Sequence, residues 1–230
     1  MAFHHSVRFP GESEEYRAAR DELLAAEADL RERAERVANL RRTLPLGGEV
    51  EDFAFEEGAG EGGETRITRL SELFEGRKDS LILFSLMFDS RMERPCSSCI
   101  SLLDGLDGAA RHARQRVNLA VIAKSPVPRI QGVARDRGWR NLRLLSSAKC
   151  SYNRDYHAES TDGTQLPAIN VFVRRRDRIH HFYNTELLYA PPEDGQGTRH
   201  ADSLWPLWSL FDMTPEGRGL TWYPALRYNG

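Results

Sequence analysis

Apolar positions recur along the chain with two distinct periods. From Gly11 to Arg42, Tyr16, Leu23, Leu30 and Val37 are spaced by seven residues, with no Gly or Pro after the start. That spacing lays one stripe along a long amphipathic helix. Ala19, Ala26 and Leu40 fill the second seam position but Arg33 interrupts it, so the stripe is weak for a coiled coil, and the helix is expected to pack on its own domain or on a partner subunit. Glu14 and Glu15 stand early and Arg41 and Arg42 late, as the helix dipole favours. Leu44-Pro45-Leu46-Gly47-Gly48 then ends the helix.

Beyond it the pattern shortens. Val50 to Phe55 alternates as a short strand and runs into the glycine cluster Glu56–Gly63, expected to be a hairpin turn. The cluster is acidic and lacks the Lys-Ser/Thr pair of a phosphate loop. Thr68 to Phe74 reads as a short helix capped by Thr68 or Ser71 and stopped by Gly76. Leu81–Phe88 is a nearly all-apolar strand, Cys96 to Arg116 a helix, Val117–Ala123 a strand, Val127–Arg137 a helix ended by Gly138, and Asn141–Leu145 a third strand. Strands alternating with helices imply βαβ units and a parallel sheet. Leu166–Val173 and Ile179–Tyr183 form a hairpin, with Arg174 to Arg176 as its solvated turn. Trp205, Trp208 and Trp222 mark a tail that is ordered only if those rings pack. Residues 1–45 are thus an expected helical extension and residues 46–230 the main domain.

Composition narrows the class. Of 230 residues, 29% are charged and 40% hydrophobic, the balance of a globular protein. A net charge of −2 makes no case for a nucleic-acid partner. The longest apolar run, Leu81–Phe88, is too short to cross a bilayer, so no membrane partner is expected. The N-terminus lacks the basic start and apolar stretch of a secretory signal, and the expectation is a cytoplasmic protein. Three cysteines are too few, and odd in number, for a disulfide framework.

Two of the three form Cys96-Ser97-Ser98-Cys99. The pair follows a buried strand and opens a helix, where the amides and the dipole favour a thiolate. Cys96 is the expected nucleophile. Cys99, three residues on, shares its helical face and is the expected resolving thiol. Pro95 suits the helix entry, and Leu166-Pro167 before an apolar strand fits the place of a substrate-facing loop with a cis-proline. A zinc site needs two further ligands; Cys150 and adjacent His180 and His181 suit one poorly. Cys150 is expected to be a bystander, and neither metal nor cofactor is implied. His112 and His157 carry no signal.

Leu44-Pro45, the Met87-Phe88 strand end, Cys96-x-Ser98-Cys99 with Asp104-Gly105, Gly138-Trp139, Ser146-Ser147 with Asn153 and Asp155, Pro167 and Thr214-Pro215-Glu-Gly217-Arg218 occur in order. Together they resemble a bacterial domain-of-unknown-function family of thioredoxin-like proteins related to the alkyl hydroperoxide reductase and thiol-specific antioxidant group, described as predicted dithiol-disulfide isomerases. The resemblance implies an α/β thioredoxin-like fold, a central mixed sheet flanked by helices with an N-terminal helical extension, and a redox role for Cys96 and Cys99. Departures are specific. Pro95 stands where thioredoxins carry Trp, Ser97-Ser98 replaces Gly-Pro, and Asp89 and Glu93 occupy the Pro and Thr places of a peroxiredoxin. The expectation is therefore thiol-disulfide exchange on a disulfide-bearing protein or a small thiol, with Pro95, Leu166 and Pro167 in contact with the substrate. The alternatives are peroxide reduction or a non-enzymatic interaction protein. A homodimer through the N-terminal helix is the candidate assembly.

Overall fold

A computed structural model of the chain describes residues 7–59, 64–189, 204–219 and 221–228. It divides into two compact units, Met1–Pro45 and Leu46–Gly230. The first is built on helix α1, Glu14–Arg42. Ser13, rather than Gly11, sets its start, because the Ser13 hydroxyl accepts from the Tyr16 amide at 3.1 Å. Arg17 and Asp21 pair one turn apart, at 2.9 Å.

The second unit is one seven-stranded sheet. Its strands are β1 Ala54–Gly58, β2 Thr65–Arg69, β3 Ser80–Ser85, β4 Asn118–Ala123, β5 Leu144–Ser146, β6 Ala168–Arg175 and β7 Arg178–Asn184, in the spatial order β2-β1-β5-β4-β3-β6-β7. Strands β5, β4 and β3 run parallel. Helices α2, Ser97–Ala113, and α3, Val127–Arg137, connect them. The parallel strands expected from that alternation are flanked on both sides by antiparallel ones, β6 and β7 beyond β3 and β1 and β2 beyond β5. The result is a mixed sheet flanked by helices, a thioredoxin-like fold. No helix among the described residues is long and apolar enough to cross a membrane.

The central strands are apolar on both faces because both faces are covered. Alternation along β3 sends Leu81 and Leu83 to one side and Ile82 and Phe84 to the other. On the second side lie α2 and α3, through Ile100, Leu103, Ile130 and Ala134. Phe53, Leu70, Leu73 and Phe74 cover the first side with Tyr152, which opens the short helix α4, Tyr152–Asp155. Each fully buried side chain of this size contributes roughly 1.5–3 kcal/mol, and such residues lie on both sides, Phe55, Leu83 and Phe172 on the first and Ile100, Leu103 and Ile130 on the second.

Several elements differ from their sequence-based expectation, each for a tertiary reason. Val50 lies outside the strand; its segment joins β7 through a bridge from Glu49 to His180. Thr68 belongs to β2, and only the 3-10 turn Leu70–Leu73 follows, closed by the Glu72 carboxylate on the Arg69 amide at 2.6 Å. Strands β1 and β2 pair from Gly58–Thr65 to Ala54–Arg69 and so make the expected hairpin; glycines 60, 62 and 63 of the cluster lie outside the described residues. Arg174 and Arg175 continue β6, and the turn falls on Arg176 and Asp177. Arg174 reaches Asp79 at 3.3 Å and lies over the Phe74 ring. The tail does pack: Trp205, Trp208, Phe211 and Trp222 meet edge to face at 5.1–6.0 Å around helix α5, Pro206–Phe211.

One ionic cluster ties the β1–β2 hairpin to the parallel core. Buried Glu57 accepts from Arg143 at 2.7 Å, Arg66 at 2.8 Å and Thr68 at 2.7 Å. Burial pushes its carboxyl up, but these three donors outweigh it and bring it down to about 2.

Candidate active site

Strand β3 ends at Ser85, yet the chain stays buried through Leu86 and Phe88. Leu86 donates its amide to the Ile122 carbonyl at 2.8 Å, and Cys96 donates its own to the Met87 carbonyl at 3.1 Å. The intervening loop therefore returns to its starting point and delivers Cys96 to the head of α2.

That loop is pinned from inside by Asp89. Its buried carboxylate accepts the amides of Arg91 at 2.8 Å and Met92 at 3.0 Å and the Arg91 guanidinium at 2.7 Å. Burial pushes the Asp89 carboxyl up, and these donors outweigh it and hold it below the usual range. From outside, Arg129 of α3 donates to the carbonyls of Asp89 at 2.9 Å and Met92 at 2.5 Å, and lies over the Phe88 ring at 4.4 Å. Nothing in the spacing of the sequence reveals this clamp, since its two halves are forty residues apart.

Cys96 occupies the N-cap of α2, the place usually taken by Ser, Thr, Asp or Asn. The buried Cys99 follows one helical turn on in the same hydrophobic cluster, and its thiol, the amides of Cys99 and Ser98 and the Ser98 side chain all favour the anion at Cys96. These interactions outweigh the burial that opposes a charge there and bring the Cys96 thiol down to about 6. Cys99 moves the other way. The neighbouring Cys96 and its own nearly complete burial push its thiol well above the ordinary cysteine value. The two cysteines are thus unequal, one ionised near neutral pH and one held protonated. Both are free.

The Ser98 hydroxyl pairs with the hydroxyl of Tyr223, brought to the helix head by the C-terminal tail. No motif pointed to Tyr223. A cavity of about 810 Å³ opens beside the dithiol, with Pro95 and Ser97, the neighbours of Cys96, in its wall.

The other expected residues divide. Register pairs Ala168 with Ser85, which brings Leu166-Pro167 to the end of the sheet from which the dithiol loop departs. The expected cis bond is absent: no peptide among the described residues is cis. The Leu166 amide donates to the Ala158 carbonyl at 2.9 Å, so the segment enters β6 extended, where the trans form is the lower in energy. Cys150 packs with Phe53 and Tyr152 on the face of the sheet away from the dithiol, where burial pushes its thiol up. It cannot resolve a bond at Cys96 from there. Asp104 pairs with Arg137 and accepts from the Trp139 indole at 2.8 Å, and the Glu93 side chain turns to solvent. His181 meets the Asn170 side chain at 3.1 Å and packs on Tyr156 and Phe172. No group of three or more His, Cys, Asp or Glu among the described residues is placed to hold a metal ion.

The chain is similar to the reduced 2-Cys peroxiredoxin of Plasmodium vivax, at 19% identity over 69% of this chain and 94% of that one, with a TM-score of 0.46. It is similar to the peroxidoxin BcpB of Mycobacterium tuberculosis, at 20% identity over 70% and 94%, TM-score 0.45. A third likeness is the exposed lipoprotein thioredoxin Etrx1 of Streptococcus pneumoniae, at 16% identity over 57% and 87%, TM-score 0.40. No curated protein matches the chain. The model of the family described as "Bacterial protein of unknown function (DUF899)" matches residues 6–228, and the chain belongs to that family.

Proposed function

We propose that the protein is a thiol-disulfide oxidoreductase whose nucleophile is Cys96 and whose resolving thiol is Cys99. The observation that carries this reading is the placement of Cys96 at the N-cap of α2 with the buried Cys99 one helical turn on, a setting that brings the Cys96 thiol down to about 6. A thiolate attacks and a thiol does not, and at about 6 Cys96 is mostly ionised at pH 7. Its attack on a substrate disulfide forms a mixed disulfide and expels one substrate thiolate. Cys99 then gives up its proton, attacks the Cys96 sulfur, forms the Cys96–Cys99 bond and expels the second thiolate. The substrate is reduced by two electrons and the protein dithiol oxidised by two; a second dithiol restores it. Burial keeps Cys99 protonated until the mixed disulfide removes the charge beside it.

Pro95 beside the nucleophile and the Leu166-Pro167 segment are the walls that meet the substrate. With the Leu166 amide committed to Ala158, pairing with a partner backbone falls to the Leu166 carbonyl.

Reduction of a model disulfide, followed with mass spectrometry, tests the reading. Cys96→Ser abolishes turnover, and Cys99→Ser halts at a mixed disulfide on Cys96. A Cys96→Ser protein that turns over at the wild-type rate overturns it.

A further inference from the structure

The wall of the cavity beside Cys96 is unevenly charged. Four arginines line it, Arg94, Arg129, Arg137 and Arg227, against two acids, Glu93 and Asp136. The wall remains positive when each pairing is followed. Arg129 spends its donors on the carbonyls of Asp89 and Met92, which satisfy its hydrogen bonds without a countercharge. Glu93 is 91% exposed at its side chain and reaches Arg94 only at 4.0 Å, a separation at which an exposed pair counts for little. Arg227 is exposed at the rim. Arg137 is matched by Asp104. Beneath the charges the floor is apolar, formed by Phe88, Ile100, Val133 and Leu226. A volume of about 810 Å³ is that of a small-molecule site.

We propose that this cavity selects the substrate of the dithiol: a small disulfide that carries carboxylates, of the size of a short peptide, whose anionic groups rest on Arg94 and Arg227 and whose sulfurs lie at Cys96. The proposal rests on the oxidoreductase reading and gives it a substrate class. The chemistry is the exchange already written, with the leaving thiolate expelled into a positive field that steers the anion in and stabilises the charge as it forms. Arg94 and Arg227 act by binding; Arg129 is a positioning residue, since it holds the Asp89–Met92 loop.

The test uses Cys99→Ser protein, in which the mixed disulfide on Cys96 accumulates and is read by mass spectrometry. Three probes are compared, each scaled by its rate with free cysteine: glutathione disulfide, which is anionic, bis(2-hydroxyethyl) disulfide, which is neutral, and cystamine, which is cationic. The expected order is anionic over neutral over cationic, with about a tenfold gap between the first two at low salt. Adding Arg94→Ala and Arg227→Ala, or 0.5 M salt, brings the ratio of the anionic to the neutral rate down toward one. Equal scaled rates for the three probes, or a double variant that slows all three alike, overturn the substrate class and leave the dithiol reading standing. Failure of every probe to modify Cys96 overturns both.

Discussion

Cys99, buried one helical turn beyond Cys96 at the head of α2, is the largest influence that lowers the Cys96 thiol to about 6, and the same pairing together with burial raises its own. The pair shares one proton between a site that favours the anion and a site that penalises it.

The rate of Cys96 alkylation by iodoacetamide is therefore expected to follow a single ionisation with its midpoint near 6. Cys99→Ala removes the largest stabilising contact and moves that midpoint upward by about one unit or more. A serine at the same place keeps a donor and moves it less. Stability follows with a definite sign. The folded value lies below the unfolded one, so below the folded value both states are protonated and Cys96 contributes nothing. Its contribution grows as pH rises from about 6 and is complete above the ordinary thiol value. Denaturant titrations of reduced wild type and Cys96→Ala across pH 6 to 9 check this, the difference between them widening with pH.

Glu57 offers a second pH window, well removed from the first. Its carboxyl, at about 2, binds Arg143, Arg66 and Thr68. Its stabilising contribution is present above the ordinary carboxyl value and is lost as pH falls toward 2. Glu57→Gln is expected to cost about 2–4 kcal/mol at pH 7, because it leaves the Arg143 guanidinium short of its main countercharge. The gap between variant and wild type in chemical denaturation should shrink as pH is lowered from 5 to 2.5. Glu75, which also meets Arg143 at 3.0 Å, keeps the loss from being larger.

Cys150→Ser is expected to leave disulfide exchange at the wild-type rate. Its side chain packs with Phe53 and Tyr152 across the sheet from Cys96, so the change registers only as a stability loss of about 1 kcal/mol. Peptide mapping of the oxidised protein should show Cys96 joined to Cys99 and Cys150 free. A bond at Cys150 would contradict the placement.

How much of this was legible beforehand depends on the range of the interaction concerned. The helix-and-strand alternation from Leu81 to Leu145, the hairpin about Arg176 and the position of Cys96 at a helix start follow from local rules, apolar period and the N-terminal preferences of a helix, which act within a few residues. The ends of elements were less legible. Leu86 to Phe88 reads as strand because it is apolar, but its backbone is drawn into a loop by Ile122 and Cys96.

The sequence by itself determined that two thiols three residues apart would open a helix behind a buried strand, and that the third cysteine would stand apart from them in the chain. Only the tertiary structure decided which thiol carries the charge, since that turns on the burial of Cys99 and on amides aimed at Cys96. It also decided that Asp89 and Arg129 hold the loop, that Tyr223 returns to Ser98 from 125 residues away, and that Pro167 is trans. Those outcomes depend on groups far apart in the chain meeting at hydrogen-bond distance, and no local pattern of apolar and polar residues encodes such a meeting.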